Sequence, residues 1–570
     1  MELWYHFRSG GLMNSRWLTY SFALLGLMLL YACKGGGDGD VGGTFLEVLQ
    51  TSPENGTTDT QVATRVGFQI DAPIDPTTLT NETFVVTDPD GTPVVGALAI
   101  GDEPNIAVLT PDESLAVITR FTATITTGLR STSGVTLEED FEWRFTTLDS
   151  AWGAAESVEE IATGTSSGQE IAIDGQNNAL AVWEYTEPTG TTVWANRYTR
   201  ADLWGEPEVI DTGDGVATAP QVAVDGAGNG FAVWQENFGS GTARIWTSRY
   251  VVDEGWGAPE VLQNGEVTTA QNPAIAADPA GNAIAIWVQA DMATGLPVVW
   301  SNRYVSGSAW GAAERIDDPL VEIPPTLLAT TAVDMDADGN AIAMWTLFGG
   351  VIWTNRYTVG SEWGTAELIM ADGGAVGARL DVGSTGDAFA IWVQEDEGAM
   401  RQDIWGIRFT DSNWGTPERI DDFDDGDTVE PDIAVDGMGI AHAVWSQSDP
   451  DFRNIWANQY TPGTGWGASE LIEPPNDDPL EDDDATVPRA AVNTAGNAFV
   501  VWRQTFQDWG SIWSNRLDPG TGWMTAELIE DDGRAAKTPK VAVDDDRHAH
   551  ALWLHAFSTS SEWVRTNRFE

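Results

Sequence analysis

From Trp152 to the C-terminus, apolar and polar residues alternate in short runs that recur at a spacing of about 52 residues. The clearest copy is "PQVAVDGAGNGFAVWQENFGSGTARIWTSRYVVDEGWGAPEVL" at 220–262. Alternation with period two over four to eight residues, bounded by Gly, Asn and Asp, predicts half-buried strands rather than helices. Each copy reads as four strands: A ("PQVAVD"), B ("GFAVWQEN"), C ("ARIWTSRYV") and D ("GAPEVL"). Eight copies of a four-stranded unit predict a β-propeller of eight blades. The array opens on a D-type strand at 152–158 and finishes on a C-type strand at Trp563–Phe569, so the first strand is expected to complete the last blade and remove an open sheet edge.

The spacings divide each copy into a fixed and a variable part. From the Asp-like residue ending strand A to the tryptophan of strand B is nine residues in all eight copies, as in Asp225 to Trp234. From the strand C tryptophan to the next "WG" is ten residues in six of seven cases and nine from Trp405 to Trp414. By contrast, the strand B and strand C tryptophans are separated by eight to 13 residues, and "WG" and the Asp-like position by 20 to 27. In an up-and-down meander the B-to-C and D-to-A connections emerge on one face. Binding sites concentrate on variable loops held by a rigid scaffold, so that face is the expected ligand face. Its non-repeated residues are Tyr185, Phe238, Phe348, Arg453, Phe506 and Trp509. Trp509 is the leading candidate, because the repeat assigns it no structural role.

Ahead of the repeats, residues 44–147 change to runs such as "RVGFQI", "TFVVT" and "TATITT" between Pro, Gly, Asn and Asp, which predicts a β-sandwich of about 100 residues. The segments "SPENGTTD" (52–59), "FQIDAPIDPTTL" (68–79), "DGTPVVG" (90–96), "LTP" (109–111) and "FEWRFTT" (141–147) occur in order and resemble the SbsA-type bacterial Ig-like domain. Phe121 stands where that family usually has Tyr. The resemblance implies a spacer without catalytic residues. The expected fold class is therefore all-β, an N-terminal Ig-like β-sandwich followed by an eight-bladed β-propeller of four-stranded blades. The expected division is 1–32 signal peptide, 33–43 tether, 44–147 Ig-like domain and 148–570 propeller.

Composition fits this picture, with 28 Trp and 60 Gly among 570 residues. A formal net charge of -59 excludes nucleic acid and an anionic membrane surface as partners, because both would be repelled. The one cysteine excludes internal disulfides. It follows Arg8, Arg16 and the apolar run "WLTYSFALLGLMLLYA" (17–32), which has signal-peptide rather than membrane-span length, with the start at Met1 or Met13. "LYAC" resembles the bacterial lipobox, with Leu30 and Ala32 before the cut and Cys33 as the lipid-modified residue. The Gly-rich "KGGGDGDVGG" then reads as a flexible tether. By that resemblance Lys34 implies sorting to the outer membrane. The lipid is the expected membrane contact, and the chain is expected to be monomeric.

Candidate chemistry is sparse. "DMDADGN" brings Asp334, Asp336 and Asp338 together in a pattern suited to calcium, the one cofactor the sequence hints at, although most copies of this turn carry a single carboxylate, enough for an Asp-Gly hairpin. His548, His550 and His555 cluster near Asp544–Asp546 as a metal-ligating set or as an ordinary closing strand. Acidic loops at 421–427 and 476–484 are suited to divalent cations, a basic partner or plain solvation. The strand B tryptophans have Ala two residues earlier in seven copies and Val500 in the eighth, which predicts burial rather than sugar stacking. Each Glu four residues after a "WG" tryptophan is expected to pair across the C–D hairpin with the Arg three residues after the strand C tryptophan, such as Arg249 with Glu260. "AVDGAGNGFAVW" resembles the tryptophan-docking motif of quinoprotein dehydrogenases, whose vicinal disulfide this chain cannot make. The expected function is binding or scaffolding of a protein or glycan. The rival is a hydrolase or lyase acting on extracellular polysaccharide with carboxylates converging at the axis.

Overall fold

The computed structural model describes residues 45–569 apart from short stretches, the longest of them 318–327 and 475–482. The signal segment, Cys33 and the tether lie outside the described residues. Among the described residues, no helix is long and apolar enough to cross a membrane. The chain divides into two compact units, Met1–Asp149 and Ser150–Glu570.

The first unit is a sandwich of two antiparallel sheets. Strands β1 (Val48–Ser52), β2 (Val66–Ile70), β3 (Phe84–Thr87), β4 (Gly96–Ile100), β5 (Ile106–Pro111), β6 (Arg120–Ile125) and β7 (Phe141–Thr146) form the sheets β1-β2-β5-β4 and β3-β6-β7. Alternation sends Phe121, Ala123 and Ile125 of β6 and Trp143 and Phe145 of β7 into the interior. Phe121 stacks on Phe145 at 5.7 Å between ring centres, so the ring that replaces the family's Tyr is used for burial.

The second unit holds eight antiparallel sheets in chain order, each led by an A strand paired to B and B to C. The A strands are Thr165–Ile173, Val216–Val224, Ala270–Ala277, Leu328–Met335, Val376–Val382, Thr428–Val435, Asp483–Val492 and Ala536–Val543. No sheet closes on itself. Consecutive A strands lie side by side, and the eighth lies against the first, so the A strands make a closed circuit. The eighth sheet is finished by the start of the unit, with Glu156 and Ser157 pairing with Thr566 and Arg565 and Trp152 bridging to Phe569. Glu159 fastens the same seam by accepting from the Val564 N–H at 2.7 Å and the Ser166 hydroxyl at 2.8 Å. Burial pushes its carboxyl up to about 7 against the pull of those donors.

The strand B tryptophans are the core, each at most 1% exposed. Each inserts against the preceding sheet: Trp234 beside Val182 and Val193, and Trp183 beside Leu552, Leu554 and Val564 of the eighth. The small residue two positions earlier leaves room for the indole, and burial of so large a ring contributes roughly 5 kcal/mol gross. In seven sheets the strand B tryptophan lies directly opposite the strand C tryptophan, as in Trp183 and Trp194. In the eighth, Trp553 faces Arg565, and Trp563 faces His555 two positions away.

The Arg–Glu ladder is corrected. Arg568 does bond Glu156 at 2.8 Å, but the other strand C arginines reach sideways to the next sheet. The guanidinium of Arg197 lies 5.0 Å from the ring centre of Tyr250, Arg303 5.0 Å from Tyr357, and Arg408 5.1 Å from Tyr460. Arg568 closes the series 4.7 Å from Tyr198 of the first sheet. A desolvated aromatic face attracts a guanidinium without requiring a second charge to be stripped of water. The aromatic partners are therefore favoured over the more exposed glutamates.

Candidate functional site: the inner wall of the A strands

Each A strand of the circuit is bonded along one edge to strand B, and it is the terminal strand of its sheet. Counting back from the Asp-like residue at its end, the fourth position holds Glu170, Gln221, Ala274, Ala332, Arg379, Asp432, Arg489 and Lys540 in sheets one to eight. The second position back is Ala in six sheets but Asp334 and Asp381 in sheets four and five. Just before the first of these positions the A–B register slips in most sheets, as between Val376 and Arg379 and between Thr486 and Arg489. The slip residue has positive φ at Ala219, Asn272, Gly377, Glu430, Val487 and Thr538. Such a bulge turns the next side chain out of the regular pleat.

These inner side chains interlock around the circuit. Lys540 bonds Glu170 at 2.6 Å, and Gln221 reaches the same carboxylate at 3.4 Å. Arg379 lies 3.5 Å from Asp432, which also accepts from the Ala490 N–H of the seventh sheet at 3.0 Å. Asp334 accepts from the Val382 N–H at 2.8 Å, and Asp381 from the Val435 N–H at 2.7 Å. Asp334 and Asp381 also hydrogen-bond each other, so the pair shares a proton. Burial raises both: Asp334 to about 6, against the pull of the Val382 and Met335 N–H groups and of its hydrogen bond to Asp381, and Asp381 well above the usual range, where the charge of Asp334 adds to burial. Burial pulls Arg379 below its ordinary value, and the charges acting on it include Asp432, Arg489 and Glu170. Water reaches this wall, because the side chains of Arg379 and Lys540 are 37% and 28% exposed.

The residues singled out from sequence separate. Tyr185 is 2% exposed and meets Trp194 edge-on at 5.6 Å, so it belongs to the interior rather than to a ligand face. Phe238 is half-buried and leans on Trp246 at 6.4 Å. The backbone of Arg453 donates to Asp484 at 2.9 Å. Phe506 and Trp509 face each other across the B–C hairpin of the seventh sheet, while their side chains, and Phe348 altogether, lie outside the described residues. Among the described residues, no contact joins Tyr185, Phe238 and Arg453 into one site.

The calcium pattern is also resolved into parts. Asp336 accepts from the N–H groups of Asp338 and Asn340 at 3.0 and 2.8 Å, the same bonds that Asp174, Asp225 and Asp436 make in their own turns. Asp338 is exposed, and Asp334 sits on the inner wall. Among the described residues no three His, Cys, Asp or Glu side chains gather as a metal set. The histidines scatter likewise: His548 bonds Asp544 at 2.8 Å, and buried His550 meets Asn177 at 2.9 Å. Burial, then the charge of Arg568, holds His550 down to about 3. The acidic loop at 476–484 lies mostly outside the described residues, and in the other Asp421 is buried against Arg419 at 2.7 Å.

The inner ring escaped sequence reasoning, yet it left a signal. Its position is the one in strand A where residue type runs through acid, amide, alanine and base from copy to copy, whereas the position after it stays apolar in all eight.

Among solved structures, the chain is similar to a prolyl endopeptidase (13% identity, TM-score 0.40), covering 69% of this chain and 55% of that one. It is similar to an ulvan lyase (9%, TM-score 0.39), covering 73% and 95%. It is also similar to the NanB sialidase of Streptococcus pneumoniae (9%, TM-score 0.34), covering 92% and 99%. Likeness at this level carries no chemistry across. No curated protein matches the chain. Residues 43–147 match the family model described as a bacterial Ig-like domain, and the N-terminal unit is an Ig-like domain.

Proposed function

We propose that this chain is an outer-membrane lipoprotein anchored through Cys33, in which an SbsA-type Ig-like spacer presents an eight-bladed β-propeller that binds a protein or glycan without transforming it. The closed circuit of A strands and the shared last sheet support the propeller reading. "LYAC" and Lys34 support the anchor. One observation carries the binding reading. At the two inner positions the carboxylates are tied to neighbours, Glu170 to Lys540, Asp432 to Arg379 and Asp334 to Asp381. Glycoside hydrolysis needs two carboxyls acting independently on opposite sides of the scissile bond, and these are already spoken for.

The second reading, a polysaccharide hydrolase or lyase, is favoured by the proton that Asp381 shares with Asp334, since a carboxyl kept protonated near neutral pH is a general acid. A glycan array read for both retention and new reducing ends separates the two. Retention without product, unchanged in kind by Asp381→Asn, is expected. Product formation that Asp381→Asn abolishes would replace the binding reading with the enzymatic one.

A further inference from the structure

We infer, building on the propeller reading above, that the inner wall is a binding site for a short acidic saccharide, whose carboxylate or sulfate is held by Arg489 and Lys540. The two side chains occupy the same position on adjacent sheets, seven and eight. Lys540 is engaged by Glu170, but Arg489 bonds only the carbonyl of its own Pro488, at 2.7 Å, and among the described residues no carboxylate pairs with it. In an eight-membered circuit, sheet three stands opposite seven and sheet four opposite eight. The residues at the equivalent position of those sheets are Ala274 and Ala332, small side chains without charge.

A chain with only 28 basic residues against 87 acidic ones has acidic groups in abundance. Of the three cations on this wall, Arg379 and Lys540 are paired with Asp432 and Glu170, which leaves the half-buried guanidinium fork of Arg489 available to an anion from outside. The rest of the wall suits hydroxyl groups. Gln221 and Glu170 lie on one side of the cations, and the Asp334–Asp381 pair supplies acceptors and a shared proton on the other. A guanidinium fork for the anionic group, with planar amide and carboxyl groups for hydroxyls, matches an acidic sugar better than an extended peptide. The overall negative charge sets the size. Its field is screened within about 10 Å at ordinary salt, so a saccharide with one or two acidic groups can enter while a long polyanion is repelled.

Isothermal titration calorimetry on the mature chain tests this with three probes: digalacturonate, 3′-sulfolactose and lactose. One or both acidic probes are expected to bind, with lactose at least about tenfold weaker, the loss typical of one charge-assisted bond. Arg489→Gln is expected to weaken the acidic probe by a similar factor while leaving the thermal midpoint unchanged. The two acidic probes distinguish a carboxylate from a sulfate ester as the source of the anion. Equal binding of lactose, indifference to Arg489→Gln, or no binding of either acidic probe would overturn the inference. The same samples are assayed for new reducing ends: turnover would overturn the non-catalytic reading while leaving the anion site standing. Failure of the acidic probes leaves the wider binding reading to the glycan array.

Discussion

The closing pair Arg568–Tyr198 decides whether the last sheet is held to the first as firmly as interior neighbours are held to one another. Its guanidinium lies 4.7 Å from the ring centre, against 5.0 Å for the interior pair Arg303–Tyr357. A partly desolvated cation–π contact of this kind contributes about 1 kcal/mol. A double-mutant cycle on Arg303→Met and Tyr357→Leu should return about that coupling, because Met preserves the aliphatic stem, and the matched cycle on Arg568→Met and Tyr198→Leu should return more, because Arg568 also donates to the Tyr198 hydroxyl. The single variant Arg568→Met should cost more than Arg303→Met. It also loses Glu156 at 2.8 Å, a bond between side chains 20% and 33% exposed that contributes no more than about 1 kcal/mol. Urea unfolding followed by tryptophan fluorescence reads all of these. A coupling near zero at the closing pair, with about 1 kcal/mol at the interior pair, would refute the closed circuit, since an eighth sheet detached from the first cannot feel Tyr198.

Two further outcomes follow from burial. Trp234→Ala should destabilise by about 3–5 kcal/mol, because the indole is fully enclosed between two sheets, whereas Trp256→Ala, half-buried at the outer edge, should cost roughly 1–2 kcal/mol by the same denaturation assay. The Asp334–Asp381 pair sets a pH dependence whose sign is fixed. Both groups are raised in the folded state, Asp334 from 3.8 to about 6, so the folded chain holds protons that the unfolded chain releases, and this part of stability falls as pH rises from about 4 to 6 and beyond. Melting temperatures between pH 5 and pH 7.5 should therefore drop less in Asp381→Asn than in the wild type, and an equal drop would rule out the shared proton.

Much of the scaffold is legible in the sequence, because its cause is local and repeated. The A-to-B turn is spelled by Asp, Gly and Asn at fixed offsets, and Asp225 makes the expected bonds to the N–H groups of Ala227 and Asn229 at 2.9 Å. The strand B tryptophans declare their burial through the small residue two positions before them. Even the displaced Trp563 is visible as a two-residue offset, although its replacement opposite Trp553 by Arg565 emerges only from the register. The arginine partners were misread because a hairpin neighbour is near in sequence, while the ring that wins is about 53 residues away, as Tyr250 is from Arg197.

The sequence by itself determined the strands, the turns, the two-unit division and the residues that fill the space between sheets, since alternation and side-chain size dictate these within a few residues. Which side chains meet on the inner wall was decided only by the tertiary structure. Glu170 and Lys540 are 370 residues apart and touch because the eighth A strand lies against the first. Copies of one repeat position become neighbours only when the circuit closes, so a series of unlike residues becomes a site there.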